Sequence, residues 1–143
     1  FNARRLPSVV DVDVPIQNLP AALNGFRIVQ ITDLHAGPTI KQGFVQRVVQ
    51  QANQLDADLI ALTGDLVDGS VDRLRTHVRP LCMLRARHGV FAITGNHEYY
   101  VGALPWIDEF KRLGMTVLLN SHRVIEHRDV DAGTARELST STE

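Results

Sequence analysis

Residues 27–35 read RIVQITDLH, a short apolar run that ends in an aspartate and a histidine. Two later stretches repeat the pattern, since LIALTGDLVD at residues 59–68 and VFAITGNHE at 90–98 also end in polar residues. Short apolar runs bounded by turn residues predict buried strands. If these strands are parallel, their carboxyl ends share one edge, where open α/β sheets bind ligands. We therefore expect six side chains to converge there: Asp33, His35, Asp65, Asp68, Asn96 and His97.

Helical patterns separate these strands along the chain. Apolar residues recur at helical spacing over residues 40–55, 71–85 and 104–113, and Thr39 and Gln42 have the spacing of a capping box. Strands are predicted at 26–31, 58–62, 90–93 and 115–119, with a fifth candidate at 122–126. This alternation predicts an α/β fold with βαβ units and a mostly parallel sheet, and the apolar strands fit a sheet that is covered on both faces.

The two ends of the chain differ from this repeating centre. Residues 8–14 alternate apolar and acidic side chains from Val10 onward, which predicts a half-buried strand. Residues 127–143 are polar and lack periodicity, and we expect at most one helical turn there, at 135–138. We therefore predict a single domain over residues 1–126, followed by a disordered polar tail over 127–143.

Composition and charge limit the class of protein. The chain has 143 residues, of which 44% are hydrophobic and 22% charged, as in ordinary globular domains. Its net charge of -1 gives no basic footprint for nucleic acid. The single cysteine, Cys82, cannot form an internal disulfide, and we expect it to be buried on a helix face. No apolar run reaches the ~20 residues of a membrane span. Because the chain begins at Phe1, we expect the natural protein to start earlier.

The converging side chains are of types that bind divalent metal ions. Carboxylate and amide oxygens together with imidazole nitrogens suit Mn, Fe or Zn. One carboxylate can bridge two ions, and two ions about 3.5–4 Å apart can activate water and clamp a phosphate. Gly64 and Gly95 directly precede two of these side chains and permit tight turns. No G-x-G-x-x-G follows the first strand, so the pattern favours hydrolysis over dinucleotide binding.

Each motif also has an ordinary structural interpretation. Asp33 and Asp68 are good helix caps, and His35 could make a common hydrogen bond. Asp-x-His and Gly-Asp arise by chance in many proteins, whereas Gly-Asn-His-Glu at 95–98 is distinctive. We expect Glu98 to support the metal ligands or the fold rather than to be catalytic. Three apolar residues at helical spacing are expected in the core: Trp106, Ile107 and Phe110.

Taken in order, the motifs D-x-H, G-D and G-N-H-[DE] resemble those of the calcineurin-like metallophosphoesterase family. The resemblance is most specific over residues 26–100, and from Val9 to Glu126 it extends to a bacterial phosphodiesterase branch that often carries an N-terminal membrane anchor. It implies the N-terminal half of an αββα sandwich, in which two sheets pack face to face between helical layers. The implied activity is metal-dependent hydrolysis of a phosphate ester, with a phosphodiester as the expected substrate.

The same resemblance implies a set of metal ligands. Asp33 and His35 would bind the first metal ion, Asp65 would bridge the two ions, and Asn96 would bind the second. The implied cofactors are two divalent ions, Mn, Fe or Zn, in the complete family domain.

The resemblance further implies that His97 is the general acid or orients the phosphate, with Asp68 orienting this histidine. The expected partner is a phosphate-ester substrate, with cyclic nucleotides, nucleotide-linked lipids and phospholipid headgroups all open. The expected location is a membrane, through a segment outside this chain, with the cytoplasm as the alternative.

Two later family motifs that supply metal ligands, a lone histidine and G-H-x-H, do not occur in this chain. His122 and His127 do not lie in such contexts. We therefore expect incomplete metal sites, whose occupancy in this chain is open, and a sheet with one uncovered face that favours association. Three functional hypotheses follow: a hydrolase seen in part, an inactive fragment that binds metal weakly, or a half-site completed in trans by a partner chain.

Overall fold

The computed structural model describes residues 5–128, which form a parallel sheet connected by helices. The four strands lie in the order β1 (Ile28–Ile31), β2 (Leu59–Leu62), β3 (Val90–Ala92) and β4 (Thr116–Val117). Every neighbouring pair is parallel. The helices are α1 (Gln42–Asn53), α2 (Val71–Val78), α3 (Asn96–Val101) and α4 (Ala103–Arg112). The predicted α/β class and parallel sheet are confirmed.

The hydrophobic core lies on one face of this sheet. Val29, Ile60 and Leu62 are buried in one cluster with side chains from α1, α2 and α4. Ile28, which points to the other face, is 59% exposed. The expectation that both faces of the sheet are covered is wrong for residues 5–128, because these residues form no helix or second sheet over the face to which Ile28 points. An open face is what half of a two-sheet sandwich implies.

The predicted strand at residues 8–14 is wrong, because this segment is irregular. Val10, Val12 and Val14 are each more than 70% exposed. A strand forms only when a neighbour satisfies its backbone hydrogen bonds, and within the described part of the chain no strand lies beside this segment. Residues 122–126 likewise form no strand.

Residues 129–143 lie outside the described part of the chain, and so does the helical turn expected at 135–138. His127 is described, and its Nδ1 lies 2.8 Å from Nε2 of His88. The His127 ring also meets Phe26 edge-on, with centroids 5.0 Å apart. Since Phe26 and His88 precede β1 and β3, this cluster lies at the amino-terminal edge of the sheet. The division into a domain ending at residue 126 and a disordered tail stays a prediction.

The start of α1 differs from the predicted capping box. The helix begins at Gln42 after Lys41, whose side chain makes no capping hydrogen bond. Ile40 forms a bridge with Ala36, and its carbonyl accepts a hydrogen bond from the N–H of Gly37 at 2.9 Å. Residues 37–39 form a turn between the two bridge residues, so Thr39 lies within this turn and does not cap the helix, whose N-cap is Lys41.

The helix predicted at 71–85 is shorter than expected. It ends at Val78 and continues as a 3-10 helix over Arg79–Met83 that contains Pro80. Proline has no N–H to continue the α-helical hydrogen bonds. The tighter winding keeps Leu81 buried but turns Cys82 to solvent, so the predicted burial of Cys82 is wrong.

The predicted core positions of α4 are confirmed. Trp106, Ile107 and Phe110 are at most 5% exposed. The indole Nε1–H of Trp106 donates to the carbonyl of Gly69 at 2.9 Å. This bond fixes the helix against the loop that follows β2.

Candidate metal centre

The loops after β1 and β2 run side by side at the carboxyl edge of the sheet. The N–H of Asp33 donates to the carbonyl of Gly64 at 3.2 Å, and the N–H of His35 donates to that of Asp65 at 3.1 Å. Asp33, His35 and Asp65 have φ angles of 53°, 48° and 52°. Such left-handed conformations are uncommon outside glycine and concentrate at functional sites. They turn the chain sharply where the three side chains leave the strands.

Two glycines allow the loops after β2 and β3 to touch. Gly64 has a φ of 92°, and a Cβ there would lie 2.5 Å from the backbone nitrogen of Gly95. A Cβ on Gly95 would lie 2.2 Å from Oδ1 of Asp65. Gly95 itself has a φ of -97°, open to any residue. Gly95 is therefore required for space, whereas Gly64 is required both for its conformation and for space.

Three of the predicted side chains form a cluster of metal-binding size. His35, Asp65 and His97 each offer one ligand atom, and these atoms lie within 4.8 Å of one another. The two imidazole rings meet edge to face, with centroids 4.5 Å apart. Within residues 5–128 no other group of three histidine, cysteine or acidic side chains meets this criterion.

The carboxylate of Asp65 is also the contact point for Asn96. The N–H of His97 donates to Asp65 Oδ1 at 2.9 Å. The carboxamide atom of Asn96 that faces Asp65 lies 3.0 Å from Oδ2 and 3.3 Å from Oδ1. If this atom is nitrogen, it donates to the carboxylate. If it is oxygen, three oxygens lie close together, and a divalent cation between them would offset their repulsion. This set of imidazole, carboxylate and carboxamide donors fits a divalent metal ion.

Asp68 contacts both histidines of the site. Its Oδ1 lies 2.9 Å from Nδ1 of His35 and 2.5 Å from Nδ1 of His97. The contact with His97 follows the predicted pairing, while the contact with His35 was not anticipated from the sequence. With both Nδ1 atoms at Asp68, the two Nε2 atoms are left for a metal ion or a substrate.

These contacts shift the ionisation of the metal-free site. The hydrogen bond to Asp68 raises the pKa of His35 above its ordinary value, more than burial lowers it. Burial disfavours ionised Asp68, but the hydrogen bonds from His35 and His97 outweigh burial and lower the pKa of this carboxyl. Asp68 therefore carries a negative charge between the two rings at neutral pH.

Asp33 lies at the rim of the cluster. Its side chain is 62% exposed, and its Oδ1 is 3.6 Å from Nε2 of His35. Thr32 Oγ1 donates to Asp33 Oδ2 at 2.6 Å. The structure thus brings all six predicted side chains to one edge, where Asp33 is largely exposed to solvent.

Glu98, which the sequence did not place among the metal ligands or catalytic residues, is fully buried beneath the cluster. Its carboxylate accepts hydrogen bonds from backbone N–H groups of two loops. Its place at the end of Gly-Asn-His-Glu was the available signal, but two of its three partner N–H groups are 32 and 33 residues away.

Comparison with known proteins identifies related sequences. A sequence profile of the calcineurin-like phosphoesterase family matches residues 26–133. A zebrafish (Danio rerio) "Transmembrane protein with metallophosphoesterase domain" is 41% identical over 122 residues, covering 85% of this chain and 28% of its own length. The cattle (Bos taurus) protein of the same name is 37% identical over 136 residues, covering 92% of this chain and 31% of its own length.

A third relative has a more specific name. The UDP-2,3-diacylglucosamine pyrophosphatase of Chlamydia trachomatis is 40% identical over 86 residues, which cover 57% of this chain and 26% of that enzyme. The chain thus spans less than a third of the length of these relatives. Although two relatives are named transmembrane proteins, no helix within residues 5–128 combines the length and apolarity needed to cross a membrane. The profile match and the two vertebrate relatives establish that the chain belongs to the calcineurin-like phosphoesterase family.

Proposed function

We propose that this chain supplies the first ligands of a dinuclear metal centre that hydrolyses a phosphodiester. The observation that carries the proposal is the convergence of His35, Asp65 and His97 at the carboxyl edge of the sheet, with ligand atoms within 4.8 Å of one another. Membership of a family of phosphate-ester hydrolases supports it. Because the chain spans only part of its relatives, the activity of the whole protein belongs to the proposal.

In this proposal, four residues hold the metal ions. Asp33 and His35 would hold the first ion, Asp65 would be shared by both ions, and Asn96 would hold the second. The side-chain distances among these residues support this assignment. When bound, a pair of divalent ions supplies Lewis acidity that activates water and balances the charge of the phosphate.

His97 and Asp68 act on the substrate side of the site in this proposal. Because Nδ1 of His97 contacts Asp68, the ring orientation is fixed and Nε2 is the atom available to the phosphate. A proton held at Nε2 can hydrogen-bond a phosphate oxygen or pass to the oxygen of the leaving group. Asp68 positions the ring and does not itself reach the substrate.

Binding of Mn²⁺ tests the ligand assignment directly. We expect the chain to bind Mn²⁺ in isothermal titration calorimetry and Asp65→Ala to lose most of that affinity, because Asp65 lies at the centre of the cluster. Asp72→Ala removes an exposed carboxylate of α2 and is the matched control. Equal affinity in the chain and in Asp65→Ala would contradict the proposal.

Turnover separates the alternatives that the sequence left open. Hydrolysis of bis-p-nitrophenyl phosphate by the chain with Mn²⁺, lost in Asp65→Ala, would identify a working site. Mn²⁺ binding without turnover would identify a weakly binding fragment or a half-site that another polypeptide completes. Addition of the remaining part of a full-length relative should then restore turnover only in the half-site case.

A second candidate is hydrolysis of a lipid-linked pyrophosphate. The Chlamydia relative is named for such a substrate, and α3 and α4 carry large hydrophobic side chains that are exposed. Tyr99, Tyr100 and Leu104 are 64%, 77% and 74% exposed. The Tyr100 ring lies 5.8 Å from that of His97. Membrane association is part of this candidate, because two relatives are named transmembrane proteins.

Paired substrates distinguish the two candidates. A lipid-linked specificity predicts that an active preparation prefers an acylated UDP-sugar to its deacylated form. Tyr100→Ser should then raise KM for the acylated substrate alone. Equal KM values for both substrates, and no effect of Tyr100→Ser, would favour the simple phosphodiester.

A further inference from the structure

Glu98 is a buried carboxylate whose oxygens accept hydrogen bonds from backbone groups. It is the third residue of α3, and its side chain is 0% exposed. The ion pairs found within residues 5–128 involve Asp33, Asp58, Asp68 and Glu109 but not Glu98. Burial of an ionised carboxylate without partners is strongly unfavourable, so its hydrogen bonds must compensate.

Three backbone N–H groups make these bonds. Oε2 of Glu98 accepts from the N–H of Asp65 at 3.0 Å and from that of Gly95 at 2.6 Å, while Oε1 accepts from the N–H of Leu66 at 2.7 Å. Hydrogen bonds to an ionised acceptor are stronger than those between neutral groups. One side chain thus joins the loop after β2 to the loop after β3.

These bonds act on the backbone of the central carboxylate of the site. Asp65 has a φ of 52°, which is unfavourable for a residue with a side chain and persists only where the surroundings enforce it. Glu98 accepts hydrogen bonds from the N–H groups of Asp65 and Leu66, and the N–H of His97 donates to Oδ1 of Asp65 at 2.9 Å. The orientation of Asp65 is therefore fixed from both its backbone and its side chain.

We propose that Glu98 is a positioning residue, whose buried carboxylate sets where Asp65 lies relative to Asn96 and His97. Both of its oxygens are occupied by N–H groups, so it acts through other residues. The proposal rests on the proposed function only for what Asp65, Asn96 and His97 bind, and the positioning itself can be tested without metal.

The first test uses NMR on the metal-free chain. Glu98→Gln keeps the shape of the side chain but places an NH₂ group against backbone N–H donors. Glu109→Gln is the matched control, since Glu109 is an equally buried carboxylate on α4. We expect Glu98→Gln, but not the control, to shift the amide resonance of His97 and the carboxyl carbon resonance of Asp65. Unchanged resonances at these two atoms would overturn the proposal.

The second test measures Mn²⁺ affinity by titration calorimetry. Removing a group that orients metal ligands weakens binding by roughly 10–100-fold, which we expect for Glu98→Gln. Glu109→Gln should bind as the unmodified chain does, even though it loses thermal stability. Glu98→Asp keeps the charge but shortens the reach, so it should bind with intermediate affinity. Equal affinity in Glu98→Gln and Glu109→Gln would also overturn the positioning role.

The two tests separate the possible failures. If the unmodified chain binds no Mn²⁺, the proposed function fails for this chain, while the NMR comparison still decides whether Glu98 positions Asp65. If Glu98→Gln does not fold, Glu98→Asp takes its place in both measurements. In that case, unchanged His97 and Asp65 resonances in Glu98→Asp would overturn the positioning role.

Discussion

Asp68 links both imidazoles of the candidate site. Its Oδ1 contacts Nδ1 of His35 and Nδ1 of His97. The hydrogen bond to Asp68 is the chief cause of the raised pKa of His35, and this shift determines how stability depends on pH. The His35–Asp68 pair therefore stabilises the metal-free fold fully below pH 6.5, the ordinary pKa of histidine. This contribution is lost as pH rises through the raised pKa of His35.

Asp68→Asn should therefore move the titration of His35 to lower pH in the metal-free chain. The neutral amide removes the charge that favours the imidazolium form. The measurement is the Cε1–H resonance of His35 followed by NMR across pH. Asp72→Asn, on the exposed side of α2, is the control and should leave that titration in place. If both variants give the same His35 curve, Asp68 does not set the ionisation of His35.

Gly95→Ala should disrupt the site through simple overlap. The added Cβ would lie 2.2 Å from Oδ1 of Asp65 and 2.5 Å from its backbone nitrogen. Overpacking of this kind typically costs roughly 1–3 kcal/mol, and here it also displaces a proposed metal ligand. We expect a lower melting temperature together with loss of Mn²⁺ binding in calorimetry.

Gly43→Ala is the control for this prediction. Gly43 lies in α1, where an added Cβ meets no atom within 4 Å. Alanine favours helix over glycine by up to about 1 kcal/mol, so this variant should be at least as stable as the original chain and should bind Mn²⁺ equally. Normal Mn²⁺ binding by Gly95→Ala would mean that the contact between the two loops is not needed.

Among the elements, α2 and α4 are joined by a charged cluster away from the metal centre. Glu109 is 3% exposed, and its carboxylate contacts Arg112 on its own helix and Arg75 on α2 at 3.3 Å. The hydrogen bond from Arg112 lowers the pKa of Glu109 below its ordinary value, although burial acts in the opposite direction. The ionised carboxylate is thus part of the packing of the two helices.

Glu109→Gln should reduce stability at neutral pH by ~1–3 kcal/mol, because charge-assisted hydrogen bonds are replaced by weaker ones. A lowered folded-state pKa gives stability that is complete above the ordinary value of 4.5 and is lost as pH falls through the folded value. The original chain should therefore lose more stability than the variant between pH 5 and pH 3, measured by urea unfolding. Parallel losses in both proteins would contradict this prediction.

Helix boundaries were the least predictable elements. Apolar spacing predicted α1, α2 and α4 but not α3, which spans only six residues over Asn96–Val101. Gly102, with a φ of 105°, separates α3 from α4. A helix this short carries too few turns to produce a periodic pattern. Pro80 ended α2 earlier than its apolar residues suggested, because a missing N–H outweighs favourable spacing.

At the scale of the whole molecule, the uncovered face of the sheet exposes apolar side chains to solvent. Ile28 is 59% exposed at the end of β1, and its cross-strand neighbour Leu59 is only partly buried. Contiguous exposed apolar surface favours association. The described residues thus form a folded layer with apolar side chains on its uncovered side.

Ile28→Lys should weaken self-association of this chain several-fold, because a charge on the open face must be desolvated for two copies to meet there. Sedimentation velocity over a range of protein concentrations would measure the effect. Leu104→Lys changes a side chain that is 74% exposed on α4, away from that face, and should leave association unchanged. If both variants behave alike, association does not use the sheet face.

The sequence by itself determined the fold class, the order of the motifs and the residues gathered at one edge. Burial periodicity and turn residues are local properties, so they predict strands and helices without knowledge of their neighbours. The order of Asp33, Asp65 and Asn96 after successive strands then places these residues together, because parallel strands end on the same side.

The tertiary structure alone decided how these residues touch. Asp68 reaches His35 as well as His97, and Glu98 binds N–H groups 32 and 33 residues away. These contacts depend on the register that sets Ile31 beside Leu62 and on left-handed turns at residues that do not intrinsically prefer them. Neither is a local property, since each conformation is maintained by hydrogen bonds from a loop distant in sequence.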